Sequence, residues 1–335
     1  MKYEVTMSRF FTKLMLSGAL LIMLGVSSHA AYLDECLSKG MQLNDGSYIF
    51  AVQCRFLDFL IYTDAKGEIT KRNFVPVTWQ DLLTMVDFIP EDRIYAIYQP
   101  DPNITDHRGL VLDFKWKTIQ ETGLEGMSWV TVTQGAWWGL VHGKDGPAMR
   151  EVSFDGYENI DHKLPEIKGA DYYHDLRGFA IDSKGNWVFL FCGENDSGFS
   201  GNGIIRVIHD GKSVRQWIVD IPYIPGTDTL IRWVGPIIDH KDNIIVGHYE
   251  NPCDAVNRDR VRIHKYTPTG VEKWSWGDVL YIISDIRVLD DGSVLILRPG
   301  GPIYKLSSDG KYLGEVPIAG ITVLGEPDCG KSDTK

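Results

Sequence analysis

Between residues 174 and 217 short apolar runs alternate with turn residues. Residues 178–181 are apolar, and Asp182-Ser183-Lys184-Gly185 is turn chemistry, with Gly185 able to take the positive φ of a tight turn. Residues 187–191 are apolar throughout, the pattern of a strand buried on both faces. A polar, glycine-rich stretch follows at 194–203. Two more apolar runs, 204–208 and 214–218, then flank Asp210-Gly211, a two-residue hairpin signal. The stretch predicts four antiparallel strands. Such a sheet, apolar on both faces, requires copies of itself on either side.

The copies are present. Aligned on the first turn they read LNDGSYIFAV (43–52), FIPEDRIYAIY (88–98), VTQGAWWGLV (132–141), IIDHKDNIIVG (237–247) and VLDDGSVLIL (288–297). Aligned on the second turn they read YTDAKGEI (62–69), VSFDGYENI (152–160), VIHDGKSV (207–214), KYTPTGVEKW (265–274) and KLSSDGKYLGEV (305–316). The second copy has no clear second turn, and LVLDFKWKTI (110–119) takes its place. First-turn positions 45, 91, 134, 184, 241 and 291 step by 46, 43, 50, 57 and 50 residues. Six sheets at that spacing imply a radial array with short, protected edges.

The expected fold is all-β, a six-bladed β-propeller of four-stranded antiparallel blades, with almost no helix after residue 30. The blades are expected at about 38–80, 85–125, 129–168, 177–222, 232–277 and 283–318 within a domain at 31–320, before a polar tail at 321–335. Blade 1 takes all its strands from 38–74, and blade 6 ends on 311–317, leaving no strand to exchange between them.

Residues 1–30 read as a signal peptide. Arg9 and Lys13 precede an apolar run at 14–26, and Ser28-His29-Ala30 is a small-residue cleavage site. The run is short for a membrane span. The expected location is therefore secreted or periplasmic, without membrane insertion after cleavage. Lys+Arg number 34 against 45 Asp+Glu, a net charge of −11. Cleavage would remove Lys2, Arg9 and Lys13 against Glu4, leaving about −13. That balance argues against nucleic acid and anionic membranes as partners, and permits bound Ca²⁺ without requiring it. Five cysteines follow the cleavage point: Cys36, Cys54, Cys192, Cys253 and Cys329. Export permits disulfides. Cys36 with Cys54, Cys36 with Cys329, and Cys192 with Cys253 are all open pairings, and none forms a CxxC motif.

In a propeller the first strand of each blade lines the central channel. The A–B and C–D turns share one face. The B–C loops and the connections between blades share the other, and these carry most of the reactive side chains. His248 and Arg298 occupy the same place at the end of strand B, and His142 lies one residue further along. Arg232 aligns with Asp175, beside His174. Together His174, Arg232, His248, His142 and Arg298 suit a small anion or an oxyanion at the mouth of the channel. Trp79, Trp129, Trp233, Tyr172 and Tyr173 are candidate contacts on the same face.

HDLRGFAIDSKGNWVFL (174–190), IIRVIHDGKSVRQW (204–217) and IHKYTPTGVEKWSW (263–276) resemble the bacterial arylsulfotransferases, which are exported six-bladed propellers. That resemblance implies channel histidines and an arginine that hold and relay a sulfuryl group, one histidine being the nucleophile. His174 fits the first His-Asp position. Ile231-Arg232 and Ser284-Asp285 stand where further histidines would be expected. By fold the chain is also similar to calcium-dependent lactonases of the gluconolactonase type. That similarity implies a channel Ca²⁺, with Glu194, Asn195, Asp228 and Asp285 as candidate metal ligands. NHL-like propellers, a third resemblance, bind peptides, glycans or proteins on the loop face. The leading expectation is a binding propeller for a small anionic ligand, or for a protein or glycan partner, on the loop face. Sulfotransferase-like group transfer and lactonase-like hydrolysis are the alternatives.

Overall fold

The computed structural model describes residues 37–53, 57–79, 83–89, 93–99, 107–133, 135–165, 176–192, 203–219, 231–250, 261–278, 283–298 and 303–316. They form six four-stranded antiparallel sheets, each built from strands consecutive in the chain. Sheet 1 holds β1 (Leu37–Gln42), β2 (Tyr48–Gln53), β3 (Leu57–Thr63) and β4 (Ile69–Phe74). Sheet 2 holds β5 (Leu83–Ile89), β6 (Arg93–Tyr98), β7 (Arg108–Asp113) and β8 (Thr118–Gly123). Sheet 3 holds β9 (Ser128–Thr133), β10 (Ala136–Gly143), β11 (Gly146–Ser153) and β12 (Asn159–Lys163). Sheet 4 holds β13 (Leu176–Ile181), β14 (Trp187–Cys192), β15 (Gly203–His209) and β16 (Lys212–Val219). Sheet 5 holds β17 (Ile231–Ile238), β18 (Ile244–Glu250), β19 (Val261–Tyr266) and β20 (Glu272–Asp278). Sheet 6 holds β21 (Asp285–Val288), β22 (Val294–Leu297), β23 (Ile303–Leu306) and β24 (Tyr312–Val316).

The first strands β1, β5, β9, β13, β17 and β21 touch one another in cyclic order, and β21 returns to β1. The six sheets therefore form a closed ring, a six-bladed propeller. Among the described residues no strand is exchanged where sheets 1 and 6 meet. The helical content among the described residues is one 3-10 turn, Val77–Trp79.

Six clusters of apolar side chains hold the ring together. Val52, Phe59 and Ile61 of sheet 1 pack against Leu295, Leu297 and Ile303 of sheet 6. Val188, Leu190 and Ile205 of sheet 4 meet Trp233, Val246 and Tyr266 of sheet 5. Burying apolar area at such contacts stabilises by about 25 cal/mol per Å².

The turns repeat one device. Asp64, Asp113, Asp182 and Asp239 each accept, through Oδ1, the backbone N–H groups two and four residues on. This side-chain capping satisfies donors that the ladder leaves open. The second turn of sheet 2 was illegible because its positive-φ position holds no glycine. Trp116 sits there at φ 65°, its ring packed into the core between sheets 1 and 2. Asp113 caps that turn with bonds of 2.8 and 2.9 Å.

The inner strands of sheets 4 and 5 approach closely. A Cβ on Gly178 would stand 2.2 Å from the carbonyl oxygen of Gly235. The obstacle is backbone, so relief requires the strands to separate. Gly178→Ala is expected to cost about 3 kcal/mol, the upper part of the overpacking range. Comparing thermal melting of the two proteins checks this; an unchanged midpoint would mean that the inner ring yields freely.

Candidate functional site: the central channel

All six inner strands contribute to one cavity of ≈ 470 Å³ on the ring axis. Its wall includes Lys39 of β1, Asp87 of β5, Thr131 and Thr133 of β9, Arg177 of β13, Trp233 and Ile237 of β17, and Asp285 and Arg287 of β21. Among the described residues, three cationic side chains and two carboxylates thus line it, in a protein whose overall charge is strongly negative. A second hollow of ≈ 770 Å³ lies at the turn-face end, bordered by the 43–46 and 289–291 turns. Ile237, Ile238 and Arg287 line both, so the arginine sits where the two spaces meet.

The charged groups are organised across sheets. Lys39 Nζ donates to Asp285 Oδ1 at 3.0 Å, joining sheet 1 to sheet 6. Arg287 NH2 lies 2.5 Å from Asp87 Oδ1 and donates to the Phe88 carbonyl at 2.8 Å, reaching from sheet 6 to sheet 2. Asp87 Oδ1 also accepts the Phe88 N–H at 2.7 Å. Burial pushes the Asp285 carboxyl above its ordinary pKa, against the pull of Lys39 and Arg287. Burial opposes the charge on Arg287 too, yet Asp87 and Asp285 hold its pKa above the usual value.

Of the residues expected at the mouth, His174 lies outside the described residues. So do Glu194, Asn195 and Asp228, and so do Cys36, Cys54, Cys253, Cys329, the signal segment and the polar tail. The Arg232 backbone runs in β17, and Cys192 ends β14. Asp285, expected as a metal ligand, is the ion partner of Lys39. Among the described residues no group of three or more His, Cys, Asp or Glu side chains is placed to hold a metal.

His142 is exposed on the β10–β11 hairpin, one strand away from the channel wall. This B–C connection is a tight hairpin, with Gly143 paired to Gly146 around Lys144 and Asp145.

His248 and Arg298 are not at the mouth. His248 is buried between sheets 4 and 5. Its ring stacks at 5.4 Å on His264, and their Nε2 atoms are 3.4 Å apart. On its other side lies the Trp233 ring, at 5.0 Å. Burial, then His264 and Arg262, lower its pKa to about 3, so the imidazole is neutral in ordinary buffers. Burial lowers His264 as well, against the attraction of Glu272. Arg298 lies over the Tyr304 ring at 5.8 Å.

The reason is positional. The matching residues in the other four sheets are Val52, Tyr98, Val141 and Phe191, and each belongs to a packing cluster between neighbouring sheets. The repeat had marked a packing position rather than a rim.

Sequence reasoning missed Lys39 and Asp87. Asp87 is a lone charge in the mostly apolar β5, and that was the available signal; Lys39 sits in the mixed strand β1 and had none. Trp129 of β9 was among the candidate contacts. It is 45% exposed and adopts φ 53°, a left-handed conformation uncommon for a bulky residue.

No protein-family model and no curated protein matches the chain. Among solved structures, a protein of unknown function from Bacteroides caccae aligns with a TM-score of 0.44 at 10% identity, over 73% of this chain and 83% of its own. A structure of YCF48 bound to D1 peptide aligns with a TM-score of 0.44 at 8% identity, over 84% and 82%. A chain of a nidogen/laminin complex aligns with a TM-score of 0.39 at 10% identity, over 72% and 80%. Likeness at this level carries no argument about what this chain binds. No helix among the described residues is long and apolar enough to cross a membrane.

Proposed function

We propose that this is an exported binding propeller that takes a small anionic ligand in the loop-face half of its central channel. The observation that carries the reading is the cavity wall, where among the described residues Lys39, Arg177 and Arg287 stand with Asp87 and Asp285. A cavity of ≈ 470 Å³ falls within the usual range for small-molecule sites. Cationic side chains on low-dielectric walls concentrate anions, even on a protein that is acidic overall. Arg177 opens β13 near the loop face, where an entering anion would meet it first. Export rests on the charged, apolar and small-residue pattern of residues 1–30.

The test is calorimetry with hexanoate against hexanamide at low salt. Hexanoate is expected to bind, hexanamide at least tenfold more weakly. Arg177→Ala should lower hexanoate affinity about tenfold, the effect of one charge-assisted contact. Equal affinity for acid and amide, or no binding of hexanoate at 10 mM (a generous ceiling), overturns the reading.

A further inference from the structure

The channel does not end at the cavity. The ≈ 470 Å³ cavity and the ≈ 770 Å³ turn-face hollow share Ile237, Ile238 and Arg287. Around the cavity the wall has two sides. Lys39, Asp87, Asp285 and Arg287 belong to sheets 1, 2 and 6, whereas sheets 4 and 5 bring Phe179, Trp233, Val234 and Ile237. Ile237 and Ile238 carry the apolar side into the hollow, where Met41, Leu43, Val288 and Leu289 continue it. Ile237, Ile238, Leu43 and Val288 are only partly buried, so apolar surface remains uncovered along the run. At the junction Asp87 and the Phe88 carbonyl hold the Arg287 guanidinium toward sheet 2, on the opposite side of the ring from Ile237 and Ile238.

We propose that the channel ligand is a medium-chain alkyl carboxylate, whose carboxylate stays in the loop-face cavity while its chain runs along Ile237 and Ile238 into the turn-face hollow. This rests on the anion-binding reading above and deepens it.

Length, burial and charge each bear on this ligand. The run from Trp233 to Ile238 is about 15 Å at the strand rise of about 3.3 Å per residue, the length of an extended chain of roughly twelve carbons. Each methylene taken fully out of water is worth about fourfold in affinity. Charge sets the direction of the chain. Among the described residues Asp45, Asp290 and Asp291 border the hollow. Hydrogen bonds from Ser47 and Ser293 hold Asp45 and Asp291 below the ordinary carboxylate range, so both are charged. That end repels a carboxylate head, which leaves it in the loop-face half beside Lys39 and Arg177. A second carboxylate on the tail would be driven among apolar walls and into the acidic rim.

The test is calorimetry on the whole mature protein with hexanoate, octanoate, decanoate and dodecanoate, each below its micelle-forming concentration. Affinity is expected to climb along the series, with dodecanoate about a hundredfold tighter than hexanoate once the cost of ordering the chain is allowed for. Dodecanedioate should bind at least about tenfold more weakly than dodecanoate. Leu43 and Val288 border the hollow and not the cavity. Leu43→Gln and Val288→Thr, each checked for an unchanged melting profile, should lower the dodecanoate-to-hexanoate ratio by about threefold or more. Should a variant fail to fold, the chain-length series and the dicarboxylate decide alone. If dodecanoate binds no more tightly than hexanoate, or dodecanedioate binds as tightly as dodecanoate, the chain inference fails and the anion reading stands. A ratio unchanged in both folded variants also overturns it, since the tail then lies outside the hollow. If octanamide binds as tightly as octanoate, or no acid binds, the anion reading itself fails and this inference with it.

Discussion

Asp239→Ala is expected to destabilise the protein by about 3–5 kcal/mol, far more than the same change at Asp113. Both carboxylates cap a turn in the same way, each taking two backbone N–H groups at 2.8 and 2.9 Å. Asp239 has two further duties. It accepts the Asn243 amide at 2.8 Å through Oδ2, and it lies 2.8 Å from Lys265 Nζ. The side chains of this ion pair are 1% and 3% exposed. Lys265 then reaches the Ser308 carbonyl of sheet 6 at 3.3 Å, so the pair anchors sheet 5 to its neighbour. Burial alone would raise the Asp239 pKa, but Lys265 and Asn243 bring it down to about 2. Removing the carboxylate leaves a buried ammonium with a single weak acceptor, whereas Asp113→Ala loses only a cap, about 1 kcal/mol. Urea midpoints at pH 7 compare the two; similar losses would show that the buried pair adds nothing.

Acid is expected to weaken the junction of sheets 4 and 5 well before general acid unfolding. His248 has a folded pKa of about 3, against an ordinary value near 6.5. Below pH 6.5 the unfolded chain takes up a proton at His248 that the folded chain refuses. Stability is therefore full above about pH 6.5, falls as pH drops, and levels off below about pH 3. The whole span is worth about 5 kcal/mol, and about 2.7 kcal/mol has gone by pH 4.5. His264, also depressed by burial, adds to the same slope, and Glu272 near it works against the depression. Arg262, paired opposite His248 on β19, disfavours the protonated ring. Asp239 contributes a later loss, as pH falls from about 4 to 2. His248→Phe places in sheet 5 the residue that sheet 4 has at the matching position, Phe191. It should remove most of the His248 slope between pH 6.5 and 4.5 and change stability at pH 7 by less than about 1.5 kcal/mol. Denaturant midpoints across that range, for both proteins, decide it; an unaltered slope would assign the acid sensitivity elsewhere.

The ring was legible in the sequence because its turns repeat chemistry as well as spacing. Gly46, Gly185, Gly292 and Gly310 all take positive φ where a turn residue was expected. The second turn of sheet 2 escaped because Trp116 took that role, a tertiary gain in buried aromatic surface overriding local preference. His248 and Arg298 were correctly aligned with each other but misplaced. Alignment reports equivalent positions, and whether a position faces a mouth or a neighbouring sheet depends on strand twist and register. Lys39 and Asp87 escaped for another reason. Their partners Asp285 and Arg287 lie on a different sheet at the far end of the chain, and no local pattern signals them.

The junction of sheets 6 and 1 differs from the other five in one respect: its partners are the chain's two extremes. Lys39 and Asp285 are 246 residues apart, while every other junction joins sheets that follow one another in the chain. With loop-closure cost growing as (3/2)RT ln n, this contact costs about 1.4 kcal/mol more to form than a junction spanning roughly 50 residues. Folding then becomes a growing arc whose last event is closure, and the first opening of the finished ring should occur at the same place. Amide hydrogens of β1 and β21 would exchange ahead of those in β13 and β17. A molecule seated in the channel against Lys39 and Asp285 touches both sides of that opening, so it would slow their exchange.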